Sequence, residues 1–166
     1  GITRQGGRAD KLSQSTGRGL GVRVLKDHAW GFASVSDFDR ESAFDALDAA
    51  ISMAEASATR SEEAAVADVQ GIQDEVHAHP QIDPRSVGVE HKMARLESYE
   101  RAAMRVAGEK LSNSIVNYSD AVRRETVCST MGTCITDESV RTFLAAVITA
   151  KDGNVLQRSR ARVGEP

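Results

Sequence analysis

The sequence predicts an α+β fold: a duplicated helix-plus-antiparallel-strands unit, with a mixed or antiparallel sheet packed against two long helices. Three observations predict it. Strand patterns lie toward both ends of the chain. Val22, Val24, Trp30 and Phe32 alternate with smaller or polar residues, and Phe143 to Ala150 is a short apolar run containing the β-branched Val147, Ile148 and Thr149. Between them are two stretches whose apolar residues recur three or four apart, the period of a helix with one face on a core. The strands at both ends carry similar turn signals, Lys26-Asp27 and Lys151-Asp152.

Residues 1 to 35 read as strands, with Gly6-Gly7 marking a turn. Lys26-Asp27-His28 reads as a hairpin turn, with His28 where a glycine often follows the aspartate. Residues 40 to 58 read as a helix capped by Asp39, whose carboxylate can accept unpaired backbone N–H groups. Its expected apolar stripe is Phe44, Leu47, Ile51, Ala54 and Ala58, opposite Asp45, Asp48 and Ser52. Ala64 to Val69 is a further candidate strand, and His77 to Pro84, with two prolines, reads as a surface loop.

Ser86 is the expected cap of a second long helix. Its stripe is Val89, Met93, Leu96, Tyr99, Ala103 and Val106, with Glu90, Lys92, Arg95, Glu97 and Arg101 outward. Ser114–Tyr118, Val122–Ser129 and Val140–Ala150 read as strands, and Asp152-Gly153 as a hairpin turn. In the last strand Arg158, Arg160 and Arg162 alternate with Ser159, Ala161 and Val163, so they share one face. The last third therefore echoes the first, but only the later copy follows a long helix. The expectation is a single domain over residues 1–166 whose first repeat is truncated, its helix and first strand lying upstream of Gly1.

Composition narrows the function. Hydrophobic residues are 40% and charged residues 27%, as in a globular chain. Aromatics are only 4%, so the core must come from aliphatic residues and alanine. Twenty-one basic against 24 acidic residues leave a net charge of -3, without the basic excess that phosphate contacts require, so no direct nucleic-acid partner is expected. No apolar run is long enough to cross a bilayer. Two cysteines are too few for a disulfide framework and suit a reducing, cytoplasmic setting.

Four features carry candidate chemistry. His77, His79 and nearby Glu75 contain metal-ligating groups, but lack the spacing that sets two imidazoles on one helical face, and a solvated loop is the favoured reading. Cys128 and Cys134 are too far apart for a Cys-x-x-Cys pair, and buried or idle thiols are favoured. Gly17-Arg18-Gly19-Leu20-Gly21 is followed by a strand, whereas a phosphate-cradling loop needs a helix there; bulge or close packing is favoured. The row Arg158, Arg160, Arg162 is the candidate cleft or interface, able to meet carboxylates of a peptide or partner. A solvated or charge-protected edge is its plainer reading.

The stretch from Gly19 to Ser34, Gly-Leu-Gly-Val-Arg-Val-Leu-Lys-Asp-His-Ala-Trp-Gly-Phe-Ala-Ser, resembles the N-terminal signature of the TldD/PmbA family, closer to the TldD branch. The alanine-rich segment Ala46–Ala58, Asp83-Pro84 followed by Glu90-His91-Lys92, and the strand-turn-strand of Val127–Gly132 and Val140–Ala150 extend it. His28 stands where that family has glycine. The resemblance implies two-domain zinc peptidases that degrade or mature peptides and are known as modulators of DNA gyrase. It implies paired homologous subunits enclosing a cavity, and metal ligands on a His-Glu-x-x-x-His helix with a later cysteine in a C-terminal domain. No such motif lies between Gly1 and Pro166, so no catalytic, cofactor or metal residue carries over. The expected role is the non-catalytic N-terminal part of such a peptidase. The alternative is a stand-alone interaction module acting on gyrase without proteolysis.

Overall fold

A computed structural model describes residues 1–58 and 64–164. Two strands, β1 (Ile2–Gln5) and β2 (Arg8–Leu12), precede β3 (Leu20–Lys26), β4 (Ala29–Val35) and the helix α1 (Arg40–Ser57). Then come β5 (Gln73–Val76), the helix α2 (Val89–Ala107), β6 (Leu111–Cys128), β7 (Cys134–Asp152) and β8 (Val155–Gly164). The class is α+β, with antiparallel sheets, one parallel pairing and two long helices. Contacts divide the chain into two compact units, Gly1–Gln14 with Gln70–Pro166, and Ser15–Val69.

The smaller unit is the β3–β4 hairpin with α1. Lys26 pairs with Ala29, and the two turn residues, Asp27 and His28, have φ of 49° and 61°. Such left-handed turns match the twist of the strands they join. Glycine takes that conformation without steric cost, whereas a residue with a Cβ does not. His28→Gly should therefore raise this unit's stability by about 1 kcal/mol; chemical denaturation checks it, and a lowered midpoint would refute the turn's geometry.

Asp39 caps α1 as expected, its carboxylate accepting the Ser42 N–H at 2.8 Å. The buried stripe differs from the expected one. Ala46, Ala50 and Ala54 are buried, Leu47 and Ile51 are half-buried, and Phe44 is 52% exposed beneath the Arg40 guanidinium. The cause is Gly31 of β4. A Cβ there would lie 1.8 Å from the Ala50 carbonyl oxygen, so the helix backbone rests almost on the strand and only alanines fit between. Ala64–Val69, expected as a strand, is irregular; Ala64 N–H donates to the His28 carbonyl at 2.8 Å. Part of the region between the first helix and this segment, residues 59–63, lies outside the described residues.

The larger unit carries a six-stranded sheet in the order β2-β1-β6-β7-β5, with β8 also on β7. β5 runs parallel along Cys134–Asp137, and β8 runs antiparallel along Phe143–Asp152. The separate strands expected across residues 114–129 are one strand of 18 residues, and β7 is one of 19. Their polar middles do not break them, because the backbone ladder continues through an exposed ribbon where polar side chains stay solvated.

Ile2, Leu96 and Val116 form the buried apolar centre beneath α2, with Met93, Tyr118, Leu144 and Ala146 packed around it. Ser86 does not cap α2. Gly88 does, without a side-chain bond, while Ser86 belongs to a 3-10 turn capped by Asp83. Val106, expected on the apolar stripe, is 91% exposed, and the stripe instead buries Glu100. The expected echo is present in the turns but not in the sheets: β3–β4 is a sheet of its own, whereas β6, β7 and β8 join β1 and β2 in one sheet.

Candidate functional site

Arg158, Arg160 and Arg162 lie on β8 opposite Thr149, Val147 and Ala145 of β7. Their β7 neighbours Leu144 and Ala146 pack on the core beneath α2. Strand alternation therefore turns the arginine row to the other face of the sheet. Every residue of β8 is exposed. None of the three arginines meets a carboxylate among the described residues. Along a strand, residues two apart repeat every ~6.6–6.8 Å, so the row presents three guanidinium groups at the side-chain spacing of an extended peptide.

On the helix side, a cavity of about 620 Å³ is lined by His91, Lys92, Arg95, Tyr99, Tyr118 and Leu144, among others. Lys92 and Tyr118 both meet the same carboxylate oxygen of Asp120, the phenol at 2.9 Å. Burial and then the Asp120 carboxylate push the Tyr118 phenol up to about 12. Burial also works against ionisation of Asp120, but Lys92 and the phenol outweigh it and hold this carboxyl below its ordinary range. Tyr118 is thus a hydrogen-bond donor at neutral pH, and the Lys92–Asp120 pair is already satisfied. Such an arrangement suits binding better than proton transfer.

The charged group that sequence reading missed is Glu100. Its two oxygens accept from Arg4 Nε at 2.9 Å, the Gly7 N–H at 2.9 Å and the Ser114 hydroxyl at 2.6 Å. Burial opposes its ionisation, but Ser114, Gly7 and Arg4 together hold it below the usual carboxylate range. The signal was available: Glu100 falls four residues after Leu96 and seven after Met93, on the apolar stripe itself.

The other candidates separate. Glu75 Oε1 lies 3.7 Å from His77 Nε2, and both side chains are about half exposed. No group of three or more His, Cys, Asp or Glu side chains converges among the described residues, so these donors do not fit a zinc site. Gly19 and Gly21 flank the start of β3, and a Cβ on Gly21 would touch the Phe32 ring at 3.4 Å. Cys128 and Cys134 overturn the expectation of buried or idle thiols. They are exposed, face each other across β6 and β7, and form a disulfide. Spacing counted along the chain hid a contact that the hairpin creates across it.

Residues 1–58 match the family model described as PmbA/TldA metallopeptidase domain 1, and residues 82–165 match the PmbA/TldA metallopeptidase central domain. Metalloprotease MJ0996 of Methanocaldococcus jannaschii is 28% identical over 165 residues, which is 98% of this chain and 36% of that protein. A Thermotoga maritima structure, named as a candidate modulator of a DNA gyrase, is similar with a TM-score of 0.76 and 16% identity, over 98% of this chain and 36% of that one. TldE from Thermococcus kodakarensis is similar with a TM-score of 0.67 and 15% identity, over 98% of this chain and 37% of that one. The structural likenesses establish the fold. The chain spans little more than a third of the length of these relatives. No helix among the described residues is long and apolar enough to cross a membrane.

Proposed function

The chain belongs to the PmbA/TldD metallopeptidase family, and we propose that it is the non-catalytic part of a cytoplasmic peptidase, shaping the space that peptides enter and supporting contacts with a homologous subunit. One observation carries this reading: models of the family's first and central domains match in order along one chain, which aligns over 98% of its length with a metalloprotease almost three times as long. In this reading zinc belongs to the remaining part of the protein, where it would activate water for hydrolysis. The residues present here bind and position. The arginine row of β8 offers carboxylate-binding groups to an extended peptide or to the neighbouring subunit, with no carboxylate among the described residues competing for it.

The experiment is Arg158→Ala, Arg160→Ala and Arg162→Ala together in the intact protein. Turnover of an unfolded acidic peptide should show a raised KM with kcat largely retained, or subunit assembly should weaken by light scattering. Unchanged kinetics and assembly would remove the row from function. Residues 1–166 expressed alone should hydrolyse no peptide and retain less than one zinc per chain by metal analysis. One firmly held zinc would overturn the non-catalytic assignment.

A further inference from the structure

Cys128 and Cys134 close the far end of the β6–β7 ribbon. They are register partners with Cα atoms 4.1 Å apart, and their disulfide spans a sequence separation of 6. A cross-link over so short a loop constrains the unfolded chain much less than one spanning a domain. The turn also has its own backbone bonds, from the Ser129 N–H to the Thr133 carbonyl at 2.8 Å and from the Gly132 N–H to the Ser129 carbonyl at 3.2 Å. Both cysteines are exposed, so a small thiol can reach the bond. Position and loop length thus distinguish this pair from a structural staple.

The ribbon end also has a second strand resting on it. The Cys134 N–H donates to the Ile72 carbonyl at 2.8 Å, and β5 continues parallel along Cys134–Asp137. Gly71 lies so close that a Cβ on it would stand 2.5 Å from the Met131 carbonyl oxygen. Arg124 of β6 reaches Glu75 of β5 at 2.6 Å. Holding Cys128 against Cys134 therefore also fixes the platform on which Gly71–Val76 lies.

We propose that Cys128 and Cys134 form a reversible thiol–disulfide pair that sets how firmly the Gly71–Val76 segment is held on the end of the β6–β7 ribbon. Closure uses a small-molecule disulfide such as oxidised glutathione. One cysteine thiolate attacks it, forming a mixed disulfide and releasing one small thiolate. The second cysteine thiolate then attacks the first cysteine's sulfur, closing the Cys128–Cys134 bond and releasing the second small thiolate. Two electrons pass from the cysteines to the small disulfide, and the two cysteine protons go to the released thiolates. Reduction by a dithiol or by reduced glutathione reverses both steps.

The intact protein is equilibrated in glutathione buffers from fully reduced to fully oxidised, quenched in acid, alkylated and mapped by peptide mass spectrometry. Cys128 and Cys134 should convert together between dithiol and internal disulfide within that range, and Cys128→Ser should leave Cys134 as a glutathione mixed disulfide. Amide exchange over residues 72–76 and 129–134 should be severalfold faster in the reduced protein. The Cys128→Ser/Cys134→Ser variant should exchange at the reduced rate in every buffer. A pair that stays dithiol, or stays disulfide, across the whole range overturns the proposal. Conversion with unchanged exchange over residues 72–76 overturns the coupling to that segment.

Discussion

Glu100→Ala should lower the unfolding free energy of the larger unit by about 3–5 kcal/mol, the cost of breaking a buried ion pair by removing one partner. Glu100 is 1% exposed, and its partner Arg4 keeps only 8% of its side chain in solvent. Truncation strands that guanidinium, leaving it, among the described residues, its bond to the Gly7 carbonyl at 2.9 Å. It also removes the acceptor for the Gly7 N–H and the Ser114 hydroxyl. One carboxylate therefore ties α2 to β1, to the β1–β2 turn and to β6. Urea unfolding of the variant should show a clearly lower midpoint. A midpoint within error of the parent would show that the network contributes nothing net.

The same group gives a sign to the pH dependence. Its folded pKa lies below its unfolded value, so the unfolded state binds the proton more readily. Its contribution is complete above the unfolded carboxylate range and is lost as pH falls through the folded pKa. Glu100→Gln should remove that part of the acid limb, flattening stability against pH below the ordinary glutamate range. It should cost less than Glu100→Ala, because the amide oxygen still accepts one of the N–H or O–H donors. An acid limb of unchanged slope in Glu100→Gln would assign the acid sensitivity to other carboxylates, Asp120 first among them.

How much of this was readable in advance depends on where the governing contact lies. Asp39 and the α1 it caps, the Gly6-Gly7 turn and the Asp152-Gly153 turn are local events, and local sequence states them. The arginine row was legible because alternation along one strand fixes its face. What failed depends on a second element. The α1 stripe departs from the sequence pattern because Gly31, in another element, decides that alanines rather than Phe44 face the sheet. The burial of Glu100 is not a local property, because a carboxylate on an apolar stripe is stable there with donors from β1 and β6, which are 96 and 14 residues away. The Cys128–Cys134 contact needed the β6–β7 register, which makes a separation of six residues a direct cross-strand pair.

Gly31→Ala tests the tightest of these long-range contacts. The added Cβ would stand 1.8 Å from the Ala50 carbonyl oxygen, 2.7 Å from the Ala54 nitrogen and 2.9 Å from the Ala50 carbonyl carbon. All three are backbone atoms of α1, so no side-chain rotation relieves the overlap, and the helix must move off β4. Overpacking of this kind costs about 1–3 kcal/mol or more. The upper end applies, because among the described residues the smaller unit has little other core: those that are buried and apolar are Ala29, Ala46, Ala50 and Ala54. Gly21→Ala in the adjoining strand is the matched control. Among the described residues its Cβ would meet the Phe32 ring, at 3.4 Å, where an exposed side chain can give way. Alanine also restricts the unfolded chain, which stabilises by about 0.4–1 kcal/mol where the native backbone accepts it. The two substitutions should therefore differ in sign, with Gly21→Ala neutral or slightly stabilising and Gly31→Ala strongly destabilising. Amide exchange across Arg40–Ser57 should accelerate only in Gly31→Ala. Equal effects of the two would mean that α1 does not rest on the β4 backbone, and would remove the physical reason for glycine between Trp30 and Phe32.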